Sequence, residues 1–159
     1  MTQPFTIIID VQEKTPFLFQ DERLIGQKVL TKRAHLTTGD YSIEGFEDKI
    51  CIERKSLPDL FGSCGGKKGE RRRRFKNEFE RMSALEYAAL VIEADWDTIY
   101  KRPPARSRMS PKQILRTINA WHMRYNVHVW PCPGRRFAEK ATFLLLNRFY
   151  RNKLEEGGL

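Results

Sequence analysis

Gly39 and Asp40 are followed, after a short acidic turn, by Glu53, Arg54 and Lys55, and then by Asp59. Two carboxylates that face each other repel unless a cation lies between them, and hard oxygen ligands of this kind suit Mg²⁺ or Mn²⁺. A cation there polarises a phosphoryl oxygen and lowers the pKa of a bound water, while a lysine beside it orients that water or offsets developing negative charge. The pattern asks for phosphodiester hydrolysis. A lone Glu-Arg-Lys triplet is more often a solvated strand end. Its weight here comes from combination with Gly39-Asp40, with Asp59 and with Asp10 upstream.

Stepping outward from these residues, two strands must bring them together. Glu44, Gly45, Phe46, Glu47 and Asp48 read as a hairpin connection between apolar, strand-like flanks, which sets Asp40 opposite Glu53. Strand alternation sends Glu53 and Lys55 to one face and Arg54 to the other. Glycine at 39 permits a positive φ or a close backbone approach, so the corner can aim Asp40 inward. A nearly continuous apolar run from Phe5 to Asp10 predicts a strand covered on both faces that delivers Asp10 to the edge of the sheet.

Gly39-Asp40, a spacer, Glu53-Arg54-Lys55 and Asp59 resemble the GDX(n)ERKXXXD signature of the XPF-type structure-specific endonucleases, a branch of the PD-(D/E)XK nuclease superfamily. Upstream, Ile9, Asp10 and Glu13 are similar to the family's V-D-X-R-E strand end, with Gln12 where the family carries arginine. The resemblance implies a metal-dependent DNA endonuclease in which Asp10, Asp40 and Glu53 hold Mg²⁺ or Mn²⁺ and Lys55 assists the attacking water. Glu13 and Asp59 then support the site, and Arg54 offers a backbone carbonyl or a phosphate contact. It further implies branched, flapped or forked DNA as substrate, in repair, recombination or replication. The competing reading is a non-catalytic DNA-binding or partner subunit of the same fold; such subunits usually lose the acidic residues, and here they are present.

The chain has 159 residues, 40% of them hydrophobic, which suits one domain spanning 1–159. Neither a helicase module nor a helix-hairpin-helix pattern is read in it. The formal net charge of +9 favours polyanionic partners through phosphate neutralisation and counterion release. No apolar run is long enough to span a bilayer and no secretory signal pattern is read, so the expected location is intracellular, in prokaryotic or phage-infected cytoplasm or in a nucleus. Cys51, Cys64 and Cys132 lack paired metal-ligand spacing and argue against a disulfide framework or zinc site. His35, His122 and His128 are scattered and read as structural.

Strand and helix patterns alternate, which predicts an α/β domain whose central mixed sheet is flanked by helices, restriction-endonuclease-like. Val29 to Thr38 reads as extended, and Ser56 caps a short helix that Gly62 to Gly66 should break into a mobile loop. Lys67, Lys68, Arg71, Arg72, Arg73 and Arg74 form the densest basic cluster, at the start of a helix that buries Phe75, Phe79 and Met82. These are the candidate DNA contacts, because arginine's forked donors match phosphate. Tyr87 to Glu93 reads as a core strand and Lys101 to Arg108 as an exposed basic loop. Ser110, Pro111 and Gln113 open a further helix with Ile114, Ile118, Trp121, His122 and Tyr125 inward. A short strand, Val127 to Trp130, leads to a last helix from about Arg136 to Asn152. That helix shows two apolar stripes, one through Phe137, Ala141, Leu144, Leu145 and Phe149, the other through Phe143, Leu146 and Tyr150. One stripe suffices to pack on a sheet. The surplus predicts pairing through this helix, as a homodimer or a heterodimer.

Overall fold

The computed structural model of the chain describes residues 3–66 and 69–157. Its elements run in the order β1 (Thr6–Asp10), α1 (Glu22–Ile25), β2 (Leu30–Ala34), β3 (Tyr41–Ile43), β4 (Ile50–Lys55), α2 (Leu57–Cys64), α3 (Glu70–Met82), β5 (Tyr87–Ile92), α4 (Trp96–Lys101), α5 (Pro111–Tyr125), β6 (His128–Pro131) and α6 (Arg135–Glu156). The described strands form one six-stranded sheet in the order β2-β1-β3-β4-β5-β6. The β1-β3-β4 stretch is antiparallel, whereas β1 with β2, β4 with β5, and β5 with β6 are parallel. The sheet is therefore mixed, as expected, and the hairpin sets Tyr41 opposite Ile52.

Its two faces have separate cores. On one, Cys51, Leu90 and Ile92 meet Leu60, Phe61 and Cys64 of α2, Phe75, Phe79 and Met82 of α3, and Ile114, Ile118 and Trp121 of α5. Phe75 and Phe79 set their rings edge-on to Trp121, with centroids 5.7 and 5.5 Å away. Burial of each such ring contributes about 1.5–3 kcal/mol, with more from edge-to-face geometry. On the other face, Ile7, Ile9, Ile52, Ala89 and Val91 meet Phe17, Phe19, Cys132 and the inner side of α6. All three cysteines are free and buried.

Helix boundaries follow local chemistry. Ser110 and Gln113 form the reciprocal capping box at α5, and Ser56 accepts from the Asp59 N–H at α2. Three elements differ from the sequence reading. Helix α2 continues through Gly62 to Cys64, because the extra turn buries the Cys64 side chain with Leu60 and Phe61. Helix α4 is a short addition, begun where the Asp95 carboxylate accepts from the Thr98 N–H. In α6 the stripe that packs on the sheet is Ala138, Thr142, Phe143, Leu146 and Phe149, while Phe137 and Leu144 remain 57% and 48% exposed. Thr142 reaches the inner side by donating its hydroxyl to the Ala138 carbonyl, which lets a polar residue replace an apolar one there.

Candidate active site

Gly39 sits at φ +78°, and a Cβ on it would lie 2.7 Å from the Cys51 Cβ. Only glycine fits a corner with both properties. The turn is tied on both sides: the Asp40 N–H donates to the Ile52 carbonyl at 2.9 Å, and the Asp40 carbonyl accepts from the Asp10 N–H at 2.8 Å. The Asp40 carboxylate then accepts from the Arg54 backbone N–H at 2.8 Å. Lys55 Nζ lies 3.3 Å from Glu53 Oε1 and 5.0 Å from the centre of the Phe75 ring. Asp40, Glu53, Lys55 and Asp59 line one cleft of 390 Å³, together with Gln12, Glu13, Lys14, Thr15 and Arg54.

Burial dominates the electrostatics of this cleft. It pushes the Asp40 carboxyl up to about 7, with help from the Glu13 charge and against the Arg54 N–H hydrogen bond. Glu53 is raised well above the usual carboxylate range by burial, then by the charges of Asp40 and Glu78, despite the Lys55 ammonium beside it. Burial pulls Lys55 down, but Glu53, Glu78 and Asp40 together hold it above its ordinary value. The pair Asp40–Glu53 thus resists full ionisation, because its surroundings do not balance two carboxylate charges.

The opposite face of β4 is balanced. Arg54 donates from Nε and Nη2 to both oxygens of Glu13 at 2.9 Å each, from Nη1 to Glu93 at 3.0 Å and from Nη2 to the Thr15 hydroxyl at 2.7 Å. Arg135 at the start of α6 adds a second donor to Glu93 at 2.7 Å and reaches the carbonyls of Thr15 and Pro16 at 2.8 and 3.0 Å. Burial disfavours the Arg54 charge, but its bonds to Glu13 and Glu93 hold the guanidinium firmly protonated. Burial likewise raises Glu13, and the Arg54 hydrogen bonds outweigh it to leave that carboxyl below its usual range.

The expected residues therefore separate. Asp40, Glu53, Lys55 and Asp59 share the cleft with Glu13 and Arg54. Asp10 does not line that cleft: its carboxylate accepts from the Leu36 N–H at 2.9 Å and the Gln12 N–H at 3.3 Å, with His35 Nδ1 3.9 Å away. Among the described residues no three His, Cys, Asp or Glu side chains converge as a metal-holding group. Arg54 lines the cleft too, with its guanidinium bonded to Glu13, Glu93 and Thr15. Within the basic cluster, Arg71 and Arg74 border a second cleft that also contains Lys55. Arg72 instead turns inward, donating to the Cys64 carbonyl at 3.1 Å and the Thr117 hydroxyl at 2.9 Å, with its guanidinium 4.8 Å from the Trp121 ring. Arg73 is exposed beside neither cleft, and Lys67 and Lys68 lie outside the described residues. Two contributors stand outside the expected set of site residues. Glu78 has its signal in helical spacing, three residues past Phe75 on the face turned to Lys55. Glu93 shows only a strand-end acid.

The ERCC4 domain family matches residues 11–143. The chain belongs to that family. This ERCC4 domain is similar in fold to XPF from Aeropyrum pernix at 21% identity, with a TM-score of 0.64 over 97% of this chain and 64% of that one. It is similar also to XPF from Aeropyrum pernix in complex with DNA, at 19% identity and a TM-score of 0.64 over 95% and 66%. The ERCC4 domain thus has the fold of an XPF-type nuclease domain and spans 64% of the length of the first of these structures. No curated protein matches. Among the described residues no helix is long and apolar enough to cross a membrane.

Proposed function

We propose that this ERCC4 domain is a Mg²⁺- or Mn²⁺-dependent DNA endonuclease acting on branched, flapped or forked substrates. The reading rests on the buried Asp40–Glu53 pair with Lys55 3.3 Å from Glu53. Two carboxylates whose charges are mutually unfavourable and only partly offset suit a divalent cation, and Mg²⁺ is commonly held by one or two carboxylates with water and substrate phosphate completing its shell. Asp40 and Glu53 fit that donor set. Bound there, the ion would polarise the scissile phosphate and acidify a water.

The chain's own residues supply the remaining functions. The Arg54 N–H fixes one Asp40 oxygen, so the carboxylate keeps its orientation whether or not it is protonated. The Lys55 ammonium, held between Glu53 and the Phe75 ring, faces the cleft with a charge that offsets the extra negative charge formed as water adds to phosphorus. Asp59, exposed at the mouth of the cleft on the first turn of α2, can accept a proton or orient solvent. Arg71 and Arg74 attract the phosphodiester backbone beside these groups.

The test is cleavage of labelled fork, flap and plain duplex DNA with Mg²⁺ or Mn²⁺, beside an Asp40→Asn variant and an EDTA control. Metal-dependent cutting that disappears in the variant supports the reading. Binding of all three DNAs without cutting by either metal would move a non-catalytic partner subunit ahead.

A further inference from the structure

Beyond the carboxylate cleft lies a larger one of 720 Å³, walled by α2 and α3 on one side and by residues 104–109 on the other. Arg71 and Arg74 border this cleft and also the 380 Å³ cleft that contains Lys55. Lys55 in turn borders the carboxylate cleft. The three are consecutive, so a basic path runs from Asp40 and Glu53 along α3 to the 104–109 segment. That segment contributes Arg106 and Arg108, and among the described residues neither is paired with a carboxylate. Glu70 is the acid in this wall, and it lies 4.0 Å from Arg74.

The far wall is built into the fold. Ser107 donates its N–H to the Pro104 carbonyl at 3.0 Å, and its hydroxyl accepts from the Met109 N–H at 3.1 Å. Met109 packs on the core of that face, and a Cβ on Gly65 would meet Met109 Cγ at 2.9 Å. Gly65 therefore marks a point of close approach that seats the loop against the end of α2, where the sequence predicted only a mobile break. Arg106 and Arg108 are held out from a docked base.

We propose that this cleft holds a single-stranded arm of the DNA, with Arg106 and Arg108 contacting phosphates away from the scissile bond. The proposal rests on the nuclease reading for its orientation and on the cleft for its substance. A cavity of this size takes a drug-sized ligand, hence a nucleotide or two of one strand, and is too small to enclose a duplex. Phe61, the one aromatic residue in its lining, is buried and does not offer its ring for base stacking. Recognition is by backbone charge, which makes it sequence-tolerant and salt-sensitive.

Anisotropy of a fluorescein-labelled oligothymidylate, a fork and a blunt duplex, titrated in EDTA at several salt concentrations, tests this without cleavage. An Arg106→Ala/Arg108→Ala variant should weaken oligothymidylate and fork binding and leave the duplex nearly unchanged. Its slope of log affinity against log salt on the oligothymidylate should be shallower by about 1.4, two phosphate contacts at roughly 0.7 each. An Arg23→Ala/Lys28→Ala variant, equal in charge loss but in and just after α1 on the other face of the sheet, should keep wild-type binding. Unchanged oligothymidylate binding in the first variant, equal loss on the duplex, or equal loss in the control pair would each overturn the proposal. A protein that cuts DNA but fails these comparisons sinks only this inference. One that passes them and cuts nothing sinks only the nuclease reading.

Discussion

One strand, β4, separates two ways of burying charge. On the side of Arg54, two acids and two arginines are matched donor to acceptor, and the side chains of Arg54 and Glu13 are each only 6% exposed. On the side of Glu53, two acids face a single lysine, with Glu78 adding a third negative charge from α3. The first arrangement is complete as it stands. The second is left wanting positive charge, and folding alone does not supply it. An ion network that satisfies itself holds structure, whereas one left with surplus acid at a cleft is prepared for a cation.

Breaking the balanced side should have the largest effect. Arg54→Met strands Glu13 in a buried site, leaves Glu93 with Arg135 alone, and is expected to cost about 3–5 kcal/mol, read by urea unfolding. Lys55→Met, on the other side, should cost far less stability and lower cleavage at least about a hundredfold in single-turnover assays. If both variants lost stability equally, the contrast between the faces would be wrong.

Asp40→Asn sharpens the comparison through pH. Unfolded aspartate titrates near 4, whereas folded Asp40 titrates near 7, so the folded chain holds that proton more tightly. The stability associated with it is fully present below the unfolded value and is lost as pH rises through about 7. Metal-free wild type should therefore melt lower at pH 8 than at pH 5.5 in buffers of equal ionic strength. Asp40→Asn should flatten that fall and be more stable at pH 8 by roughly 2 kcal/mol. Added Mn²⁺ should restore wild type, increasingly so at higher pH, and leave the variant unmoved.

Smaller effects follow at the rims. Arg135→Ala removes a donor from Glu93 and the tie to the carbonyls of Thr15 and Pro16, yet its side chain is 45% exposed, so a loss of about 1 kcal/mol by thermal melting is expected. Glu78→Gln withdraws a charge that raises both Asp40 and Glu53. The fall in metal-free stability should then become shallower, with its midpoint moving down by less than about one pH unit. An upward movement would contradict the role assigned to Glu78.

The sheet and the site corner were legible because their signals are local. Alternation put Glu53 with Lys55, Gly39 marked a backbone that only glycine tolerates, and the Ser110–Gln113 box opened α5 where the sequence placed it. What escaped depends on distant partners. Asp10 is expected as a ligand from the family resemblance, and nothing local announces the Leu36 N–H that donates to its carboxylate from 26 residues away. Arg72 sits in a basic run, yet Thr117 and Trp121 of α5 draw it inward. The choice between the two stripes of α6 required knowing that Thr142 could satisfy its hydroxyl within its own helix. Periodicity alone gives no means to rank a Thr-containing stripe above one with Phe137 and Leu144.

The three buried cysteines have a practical consequence. Burial holds Cys51 and Cys64 above the ordinary thiol range, the latter at about 12, and pushes Cys132 up to about 11. Native thiols in such surroundings resist alkylation, so single cysteines introduced on the surface can be labelled with dyes without first removing the natural ones. Cys51 and Cys64 lie in the α2–α3–α5 layer and Cys132 in the α6 layer. Each layer therefore carries its own chemical clock, and the order in which these thiols become reactive under mild denaturant reports which half of the molecule opens first.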